Sequence, residues 1–447
     1  MLQYILRIIN ISLKKDMVIN MQNGIVELGN GIEGFFIKNS RFKTTLISCN
    51  FYLPLKKETV AEYALLPFIL TTCSKEYTDF SKLNYKLSRL YGADLDASAE
   101  KYGDYQLLKI SVSVINDRFT LDGESLVKQA AELICGLIFE PSCENGAFLE
   151  DDLSREKRKA IEHIKGEYSE KRIYAKNRLI EEMYKNKPYG LSKCGTVEDV
   201  EKITGESLYR AWESMLKTAF IRFHVVGNEM PAGLFDSITE RFSGVERINV
   251  TDCRISSATE AVNTPAEVVE NMAVNQGKLV MGFSSEMKGN DDESLPLMVM
   301  SDIFGGGPYS RLFSNVREKM SLCYYCSASS VRQKGLLTVE SGIEAENAGK
   351  AEKEILNQLD IMKKGGFSDF EFESSRKSIY DSLVGYNDSQ SAIDRWYTMK
   401  VNNINVYSPD EVAEKVKSIT RDDIIRAARG VKLHTVYKLL PLKDKSV

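Results

Sequence analysis

Histidine is scarce in this chain. Its 447 residues include three, His163, His224 and His434, and no two of them are close in sequence. Their spacing excludes H-x-x-E-H, H-E-x-x-H and every other local two-histidine zinc motif. Three scattered histidines also supply too few bases for a Ser/His/Asp or Cys/His catalytic set. The sequence therefore gives no local sign of hydrolytic chemistry.

A strong net charge is lacking as well. The 59 Lys and Arg residues nearly balance the 63 Asp and Glu residues, so we expect neither nucleic acid nor an anionic membrane as a partner. Hydrophobic residues make up 43% of the chain, which is enough for ordinary globular cores. At roughly 150 residues per domain, the length predicts two to three domains.

The eight cysteines show no disulfide framework. Cys135, for example, lies in an apolar run, where a free thiol behaves as a small hydrophobe. We therefore expect reduced thiols and a cytoplasmic location. The lone pair Cys323-x-x-Cys326 cannot close a four-cysteine zinc site, and it lies in a strand-like run. A structural role is favoured for it, with a redox or metal role as the alternative.

The chain begins with an apolar stretch over residues 1–13 that Arg7 interrupts. This stretch is shorter than the about 20 apolar residues that a membrane span needs, and no small-residue cleavage pattern follows it. We treat residues 1–20 as an extension of unknown role.

Hydrophobic periodicity predicts strands and helices that are mixed without strict alternation. The predicted strands cover residues 32–37, 44–53, 94–99, 105–114, 221–227, 277–284 and 435–440. The predicted helices cover residues 81–91, 125–138, 146–184, 197–201, 207–215, 233–242, 295–304, 310–319 and 373–384.

One sequence pattern occurs twice. Glu198-Asp-Val200 leads to Ile203-Thr204, and Asp410-Glu-Val412 leads to Ile419-Thr420 about 220 residues later, each followed by a predicted strand. This spacing suggests a duplicated half. We predict a first half over residues 21–243, a linker rich in Ser, Thr, Asn and Asp over residues 244–270, and a second half over residues 271–447. The fold class is α+β, in which each half is a mixed, mainly antiparallel sheet backed by helices.

The dense glycine cluster Phe304-Gly-Gly-Gly-Pro308 does not match a phosphate-binding loop. It reads as a tight helix connection in which Gly305, Gly306 and Gly307 could expose backbone groups to a bound peptide. Nearby, Arg317 at a helix end and Tyr324 on a strand could both donate hydrogen bonds to a peptide carbonyl. The alternative is a solvated arginine and a half-buried tyrosine.

The carboxylates of the long predicted helix are expected to be solvated. Glu156 and Glu162 lie on that helix without a set of metal ligands nearby in sequence. His163 adjoins the apolar stripe of the same helix and is expected to be packed or to lie on its rim.

Three motifs resemble features of the insulinase-type metallopeptidase family, in its mitochondrial-processing-peptidase branch. They are Tyr91-Gly-Ala-Asp94, Phe304-Gly-Gly-Gly-x-x-Ser-Arg-Leu312 and Val316-Arg-Glu-Lys-x-x-Leu-x-Tyr324. The resemblance runs from about residue 30 to residue 441. It implies that two homologous halves form a clamshell around an unstructured peptide.

Active members of that family carry H-x-x-E-H and a distal zinc-binding Glu. In this chain Ala64 and Phe68 stand at the two histidine positions, Pro67 stands at the general-base position, and His163 stands where the distal Glu is expected. Hydrolytic zinc needs three protein ligands and a water whose proton the Glu accepts. The resemblance therefore implies a non-catalytic homologue that binds no metal and needs no cofactor.

The same resemblance matches Arg317 and Tyr324 to residues that contact substrate near the scissile bond. In two-chain bacterial members, one subunit carries the zinc site and the other carries this pair. The expected partners are thus a homologous zinc-bearing subunit, in a heterodimer, and a peptide or unfolded polypeptide substrate.

A narrower resemblance, through Tyr174-Ala-x-x-Arg178-Leu and Pro188-Tyr-Gly190, is to a Gram-positive subgroup associated with the 5-aminopentanol modification of elongation factor P. The rival interpretation is a scaffold or peptide-binding protein of the same fold, for which a homodimer is the expected assembly. Core subunits of respiratory complexes show that this fold persists without proteolysis. An independent enzyme with unrelated chemistry is a third possibility.

Overall fold

A computed structural model describes residues 24–253, 257–289, 291–401 and 406–442. The predicted extension over residues 1–20 lies outside these ranges. Over the described residues, no helix combines the length and the apolar character that a membrane span requires. All eight cysteines are free thiols.

The first half builds a six-stranded sheet with helices on one face. The strands of this sheet are β1 (Ile25–Gly29), β2 (Ile32–Lys38), β3 (Thr44–Pro54), β4 (Asp94–Tyr102), β5 (Tyr105–Ile115) and β8 (Phe220–Gly227). Two short strands, β6 (Cys143–Glu144) and β7 (Ala147–Phe148), pair with each other outside it. Its helices are α1 (Val60–Leu70), α2 (Phe80–Arg89), α3 (Leu126–Phe139), α4 (Glu150–Ser169), α5 (Lys171–Met183), α6 (Val197–Glu201), α7 (Gly205–Thr218) and α8 (Leu234–Phe242).

The second half builds a five-stranded sheet. Its strands are β9 (Ala266–Met272), β10 (Gly277–Ser285), β11 (Cys323–Val331), β12 (Leu336–Ile343) and β13 (Val431–Pro441). Its helices are α9 (Asp291–Gly305), a π-helix (Leu312–Lys319), α10 (Ala348–Lys363), α11 (Asp369–Gly385), α12 (Gln390–Thr398), α13 (Pro409–Val416) and α14 (Arg421–Arg429).

The two sheets have the same topology. The first runs β1-β2-β8-β3-β5-β4 and the second runs β11-β12-β10-β13-β9. Without β1, the strands of the first sheet follow along the chain as β2, β3, β4, β5 and β8, and those of the second as β9 to β13. In both sheets the third of these five strands lies at one edge and the first lies at the other. In both, the last strand pairs in parallel with the first, and the remaining pairs are antiparallel. The prediction of two homologous, mainly antiparallel halves is confirmed.

Two predicted elements differ in the structure. The long helix predicted over residues 146–184 is two helices, because the backbone of Glu170 turns out of the helical region and its side chain caps α5 by accepting from the Arg172 amide. In addition, β9 begins inside the predicted linker 244–270 and runs to Met272 in the predicted second half. Its side chains are mostly exposed at a sheet edge, so it lacks the apolar alternation that predicts a strand.

One helix of each half packs on the sheet of the other half. Helix α5 packs on β10 and β13, where Met183 lies directly over Gly282 and a Cβ on that glycine would overlap the Met183 sulfur. On the same face, the Glu340 carboxylate of β12 accepts from Arg172 Nε at 2.8 Å and from Lys176 Nζ at 2.7 Å. The first half is therefore anchored on the second sheet.

Helix α12 makes the reciprocal crossing and packs on β3 and β8. Its Asp394 is completely buried. One carboxylate oxygen accepts from the Ser48 hydroxyl at 2.7 Å and lies 2.8 Å from His224 Nδ1, and the other is paired with Lys109. Burial alone would raise the pKa of Asp394, but His224 and Lys109 lower it well below its usual value. Asp394 is thus a buried carboxylate held by three elements of the first sheet.

Candidate functional site

The positions that the family resemblance assigns to zinc chemistry lie on α1 and α4. On α1, Ala64 and Pro67 are buried, while the side chain of Phe68 is 40% exposed. None of these side chains has an atom that binds zinc or accepts a proton from water. Pro67 also removes a backbone donor from the middle of the helix.

Helix α4 packs against α1 and carries the distal position. His163 lies on its exposed side, with Nε2 3.4 Å from a Glu167 carboxylate oxygen one turn later. Glu162 is exposed, as predicted, whereas Glu156 is 3% exposed and the expectation of solvation was wrong. Its carboxylate lies 2.9 Å from Lys159 Nζ and 3.6 Å from Arg155 Nε, so its charge is balanced within α4.

A metal site would need these groups to converge. Over residues 24–253, 257–289, 291–401 and 406–442, no group of three or more His, Cys, Asp or Glu residues is arranged to hold a metal ion. The donor set of the described residues therefore does not fit the zinc that the fold family implies.

The glycine cluster joins α9 to the π-helix, as the tight connection predicted from the sequence. A Cβ on Gly305 would overlap the backbone nitrogen of Ala328 in β11, and one on Gly306 would overlap Asp302. Gly305 is buried, whereas Gly306 is exposed and Gly307 is half-buried. The first glycine is thus required for packing, and the next two keep their backbone near the surface.

Arg317 lies in the last turn of the π-helix, which packs against β11. Its guanidinium stacks over the Phe313 ring at 4.5 Å from the centroid, and Nε lies 3.6 Å from a Glu318 oxygen. The side chain is 40% exposed. Stacking fixes the direction of the guanidinium while most of its donors stay accessible to a ligand.

Tyr324 is the second residue of β11, which is an edge strand of the second sheet. Its side chain is 57% exposed, and its hydroxyl donates to the carboxylate of Glu344. This hydrogen bond raises the pKa of Tyr324 above its usual value, so the phenol keeps its proton and remains a donor. The structure thus presents Arg317 and Tyr324 on packed neighbouring elements, both toward solvent.

A cavity of about 510 Å³ lies between the two halves. The first half contributes Lys101, Tyr168 and Tyr174 to its wall, and the second half contributes Val331 and Thr338. Tyrosines and charged side chains of both signs line this cavity.

Lys101 is a half-buried charge in this wall. Its ammonium donates to the carbonyls of Tyr189 and Leu191 at 2.8 and 2.7 Å. Burial lowers the pKa of Lys101 to about 8. The sequence did not reveal this residue, because its position depends on a loop almost 90 residues away; the Pro188-Tyr-Gly190 stretch was the only local signal.

Comparison with known proteins gives three kinds of match. A family model described as Peptidase M16 inactive domain matches residues 202–379. A Bacillus subtilis protein named probable inactive metalloprotease YmfF is 31% identical over 410 residues, which cover 92% of this chain and 96% of that protein.

Solved structures show the same fold. A conserved protein from Enterococcus faecalis V583 superposes with a TM-score of 0.88 at 24% identity, over 94% of this chain and 99% of that one. A peptidase M16 inactive domain from Pseudomonas fluorescens superposes with a TM-score of 0.75 at 15% identity, over 95% and 99% of the two chains.

Proposed function

Because this chain belongs to the M16 peptidase family and is a non-catalytic homologue within it, we propose that it is the substrate-holding subunit of a two-chain processing peptidase. A homologous partner would carry H-x-x-E-H and cut the peptide, while this chain holds it. The observation that carries the proposal is the contrast between the two halves. The positions for zinc chemistry hold Ala64, Pro67, Phe68 and His163, whereas Arg317 and Tyr324 are intact and exposed.

The sheet edges supply the remaining contacts. Strands β4 and β11 each end their sheet over the described residues, so their outer backbone groups can pair with an extended peptide. Gly306 and Gly307 lie near the surface at the start of the connection to the π-helix. A substrate carbonyl would compete with Glu344 for the Tyr324 hydroxyl and would accept a hydrogen bond from the Arg317 guanidinium.

The test mixes the full chain with a homologous H-x-x-E-H chain and measures cleavage of an unstructured fluorogenic peptide. We expect cleavage to require both chains. Arg317→Ala should lower kcat/KM by about tenfold and Tyr324→Phe by about threefold to tenfold, the range for loss of one charged or one neutral hydrogen bond.

Matched controls separate a local effect from general damage. Arg241→Ala and Tyr85→Phe make the same two changes at side chains of similar exposure on the first half and should leave cleavage unchanged. If Arg317→Ala and Tyr324→Phe behave like these controls, the assignment of the pair is wrong. Peptide binding without any stimulated cleavage would favour the scaffold alternative.

Elongation factor P is one concrete candidate substrate, supported by the subgroup resemblance. The residues of that resemblance lie at the boundary between the halves: Tyr174 donates to Glu270 at 2.7 Å, and Tyr174, Arg178 and Tyr189 line the cavity. Titration calorimetry of this chain with modified and unmodified elongation factor P measures the interaction directly. Absence of binding to both forms would remove this candidate without affecting the two-chain proposal.

A further inference from the structure

Strand β11 begins with the lone C-x-x-C pair. In a regular strand, residues three apart face opposite sides of the sheet. Here the register with β12 shifts between Cys323, which is opposite Ile343, and Tyr325, which is opposite Gly342. Tyr324 is therefore the extra residue of a β-bulge.

The bulge brings the two cysteines to the same face. Cys326 is opposite Ser341 and Cys323 is opposite Ile343, two β12 residues that alternate onto one side of the strand. In agreement, Cys326 is buried in the core of the second half, and Cys323 packs against that core while it stays partly exposed. The bulge therefore places both thiols on the face of β11 that packs against this core.

The surroundings of the two thiols shift their pKa values in opposite directions. Interaction with the Cys326 thiol, with smaller contributions from Ser341 and from the positive charge of Arg317, lowers the pKa of Cys323. The same interaction and burial raise the pKa of Cys326. The other six thiols have raised pKa values, mainly because of burial. Thiolate character with access to solvent marks a cysteine that oxidants attack first.

We propose that Cys323 and Cys326 form a peroxide-sensitive dithiol that closes to a disulfide and reshapes the bulge presenting Tyr324. The Cys323 thiolate attacks hydrogen peroxide: an S–O bond forms, the O–O bond breaks, and protonation of the leaving hydroxide gives water. Cys326 then loses its proton and attacks the sulfenic sulfur: the S–S bond forms, the S–O bond breaks, and the second water leaves. Overall, two thiols and one peroxide give one disulfide and two waters.

Closure should strain the strand. The β12 residues opposite the two cysteines, Ile343 and Ser341, are alternate strand positions, so the cysteine Cα atoms are expected about 6.7 Å apart. That is near the upper end of the usual Cα separation in a disulfide, whose mode is about 5.5–6 Å. Bond formation should therefore contract the bulge by about 1 Å and displace Tyr324 from Glu344. The thiol chemistry is independent of the proposed function; the consequence for substrate holding rests on it.

The test treats the full chain with hydrogen peroxide, alkylates the remaining thiols and maps the products by mass spectrometry. Trypsin releases residues 320–332 as one peptide that contains both cysteines, so the disulfide is read as a loss of two hydrogens without alkylation. We expect this product to form about tenfold faster than oxidation of Cys194, a partly exposed thiol whose pKa is raised to about 11.

Three variants sharpen the result. Cys326→Ser should stop the reaction at a sulfenic acid on Cys323 that dimedone traps, and Cys323→Ser should leave Cys326 reduced. The matched control Cys194→Ser should change neither rate nor product. If both thiols in the 320–332 peptide stay alkylatable after peroxide, or if Cys194 reacts as fast, the proposal is overturned whether or not the chain supports cleavage.

The effect on Tyr324 has its own measurement. Oxidation should raise amide hydrogen exchange across residues 320–332, and reduction should restore it. A disulfide that leaves this exchange unchanged would overturn the coupling to the bulge. If exchange rises but peptide cleavage with the partner is unaffected, the failure belongs to the assignment of Tyr324 as a substrate contact.

Discussion

Replacing Asp394 by alanine tests whether the crossing of α12 holds the two halves together. Asp394 reaches from the second half into the first sheet, where it accepts from Ser48 and His224 and pairs with Lys109. The carboxylate is completely buried. Its removal leaves two buried donors without an acceptor and a largely buried ammonium without its counter-charge.

The size of the effect follows from these partners. A buried neutral donor that loses its acceptor costs about 1–3 kcal/mol, and removal of one member of a buried ion pair costs about 3–5 kcal/mol. The losses share one group and do not add, so we expect the free energy of unfolding to fall by about 4 kcal/mol. Asp381→Ala is the matched control, because Asp381 pairs with Lys377 at 2.7 Å on an exposed helix face. That change should cost less than about 1 kcal/mol.

Urea unfolding followed by tryptophan fluorescence suits this experiment, because the two tryptophans lie in different places. Trp212 is on α7 of the first half and Trp396 is on α12 itself. In Asp394→Ala the Trp396 signal should change at lower urea than the Trp212 signal, since α12 loses its anchor first. If the variant unfolds within about 1 kcal/mol of the parent, the buried network does not hold α12 and the argument fails.

Three further predictions concern pH, packing and the second crossing. Burial lowers the pKa of His224, so below pH about 6.5 the unfolded chain binds a proton that the folded chain does not. Urea midpoints should therefore fall as the pH drops from 7 to 5, and fall again below about pH 4, where the lowered pKa of Asp394 takes effect; a flat profile would contradict this. Gly305→Ala should cost about 1–3 kcal/mol because its Cβ meets the β11 backbone, whereas Gly136→Ala, in an open helical position, should gain about 0.5–1 kcal/mol in the same unfolding assay. Glu340→Gln should cost about 1 kcal/mol at low salt and less at high salt, as its two basic partners on α5 are half exposed; equal costs at both salt concentrations would refute the ionic contribution.

The duplication was predictable because the same kind of helix N-terminal cap occurs at the corresponding place in both halves. Thr204 and Thr420, the residues on which the two sequence patterns align, are both N-caps, and each forms a capping box with the residue three positions later. A capping box is a local signal, so it survives in the sequence even where the apolar residues around it have changed. Strands such as β3 and β5 were likewise predictable from their own composition.

The crossing of the helices was not predictable from the sequence. Periodicity shows that a helix has an apolar stripe, but it does not show which sheet the stripe contacts. Helix α5 reads as a continuation of α4, and only the turn at Glu170 sends it onto the other half. The burial of Glu156 and the bulge at Tyr324 were missed for a similar reason, since both depend on a neighbouring element rather than on local sequence.

The two crossings bear on how a peptide reaches the cavity. Opening the halves would pull α12 from the Asp394 network and α5 from Glu340. It would also break a third link, in which the fully buried Lys334 of the second half donates to Asp104 of the β4–β5 turn at 2.8 Å. Each break would expose charges that are paired in the closed state, so we expect the halves to stay together. Under the proposed function, a peptide would then enter along the edges of β4 and β11, and the proposed partner chain would close the chamber around it.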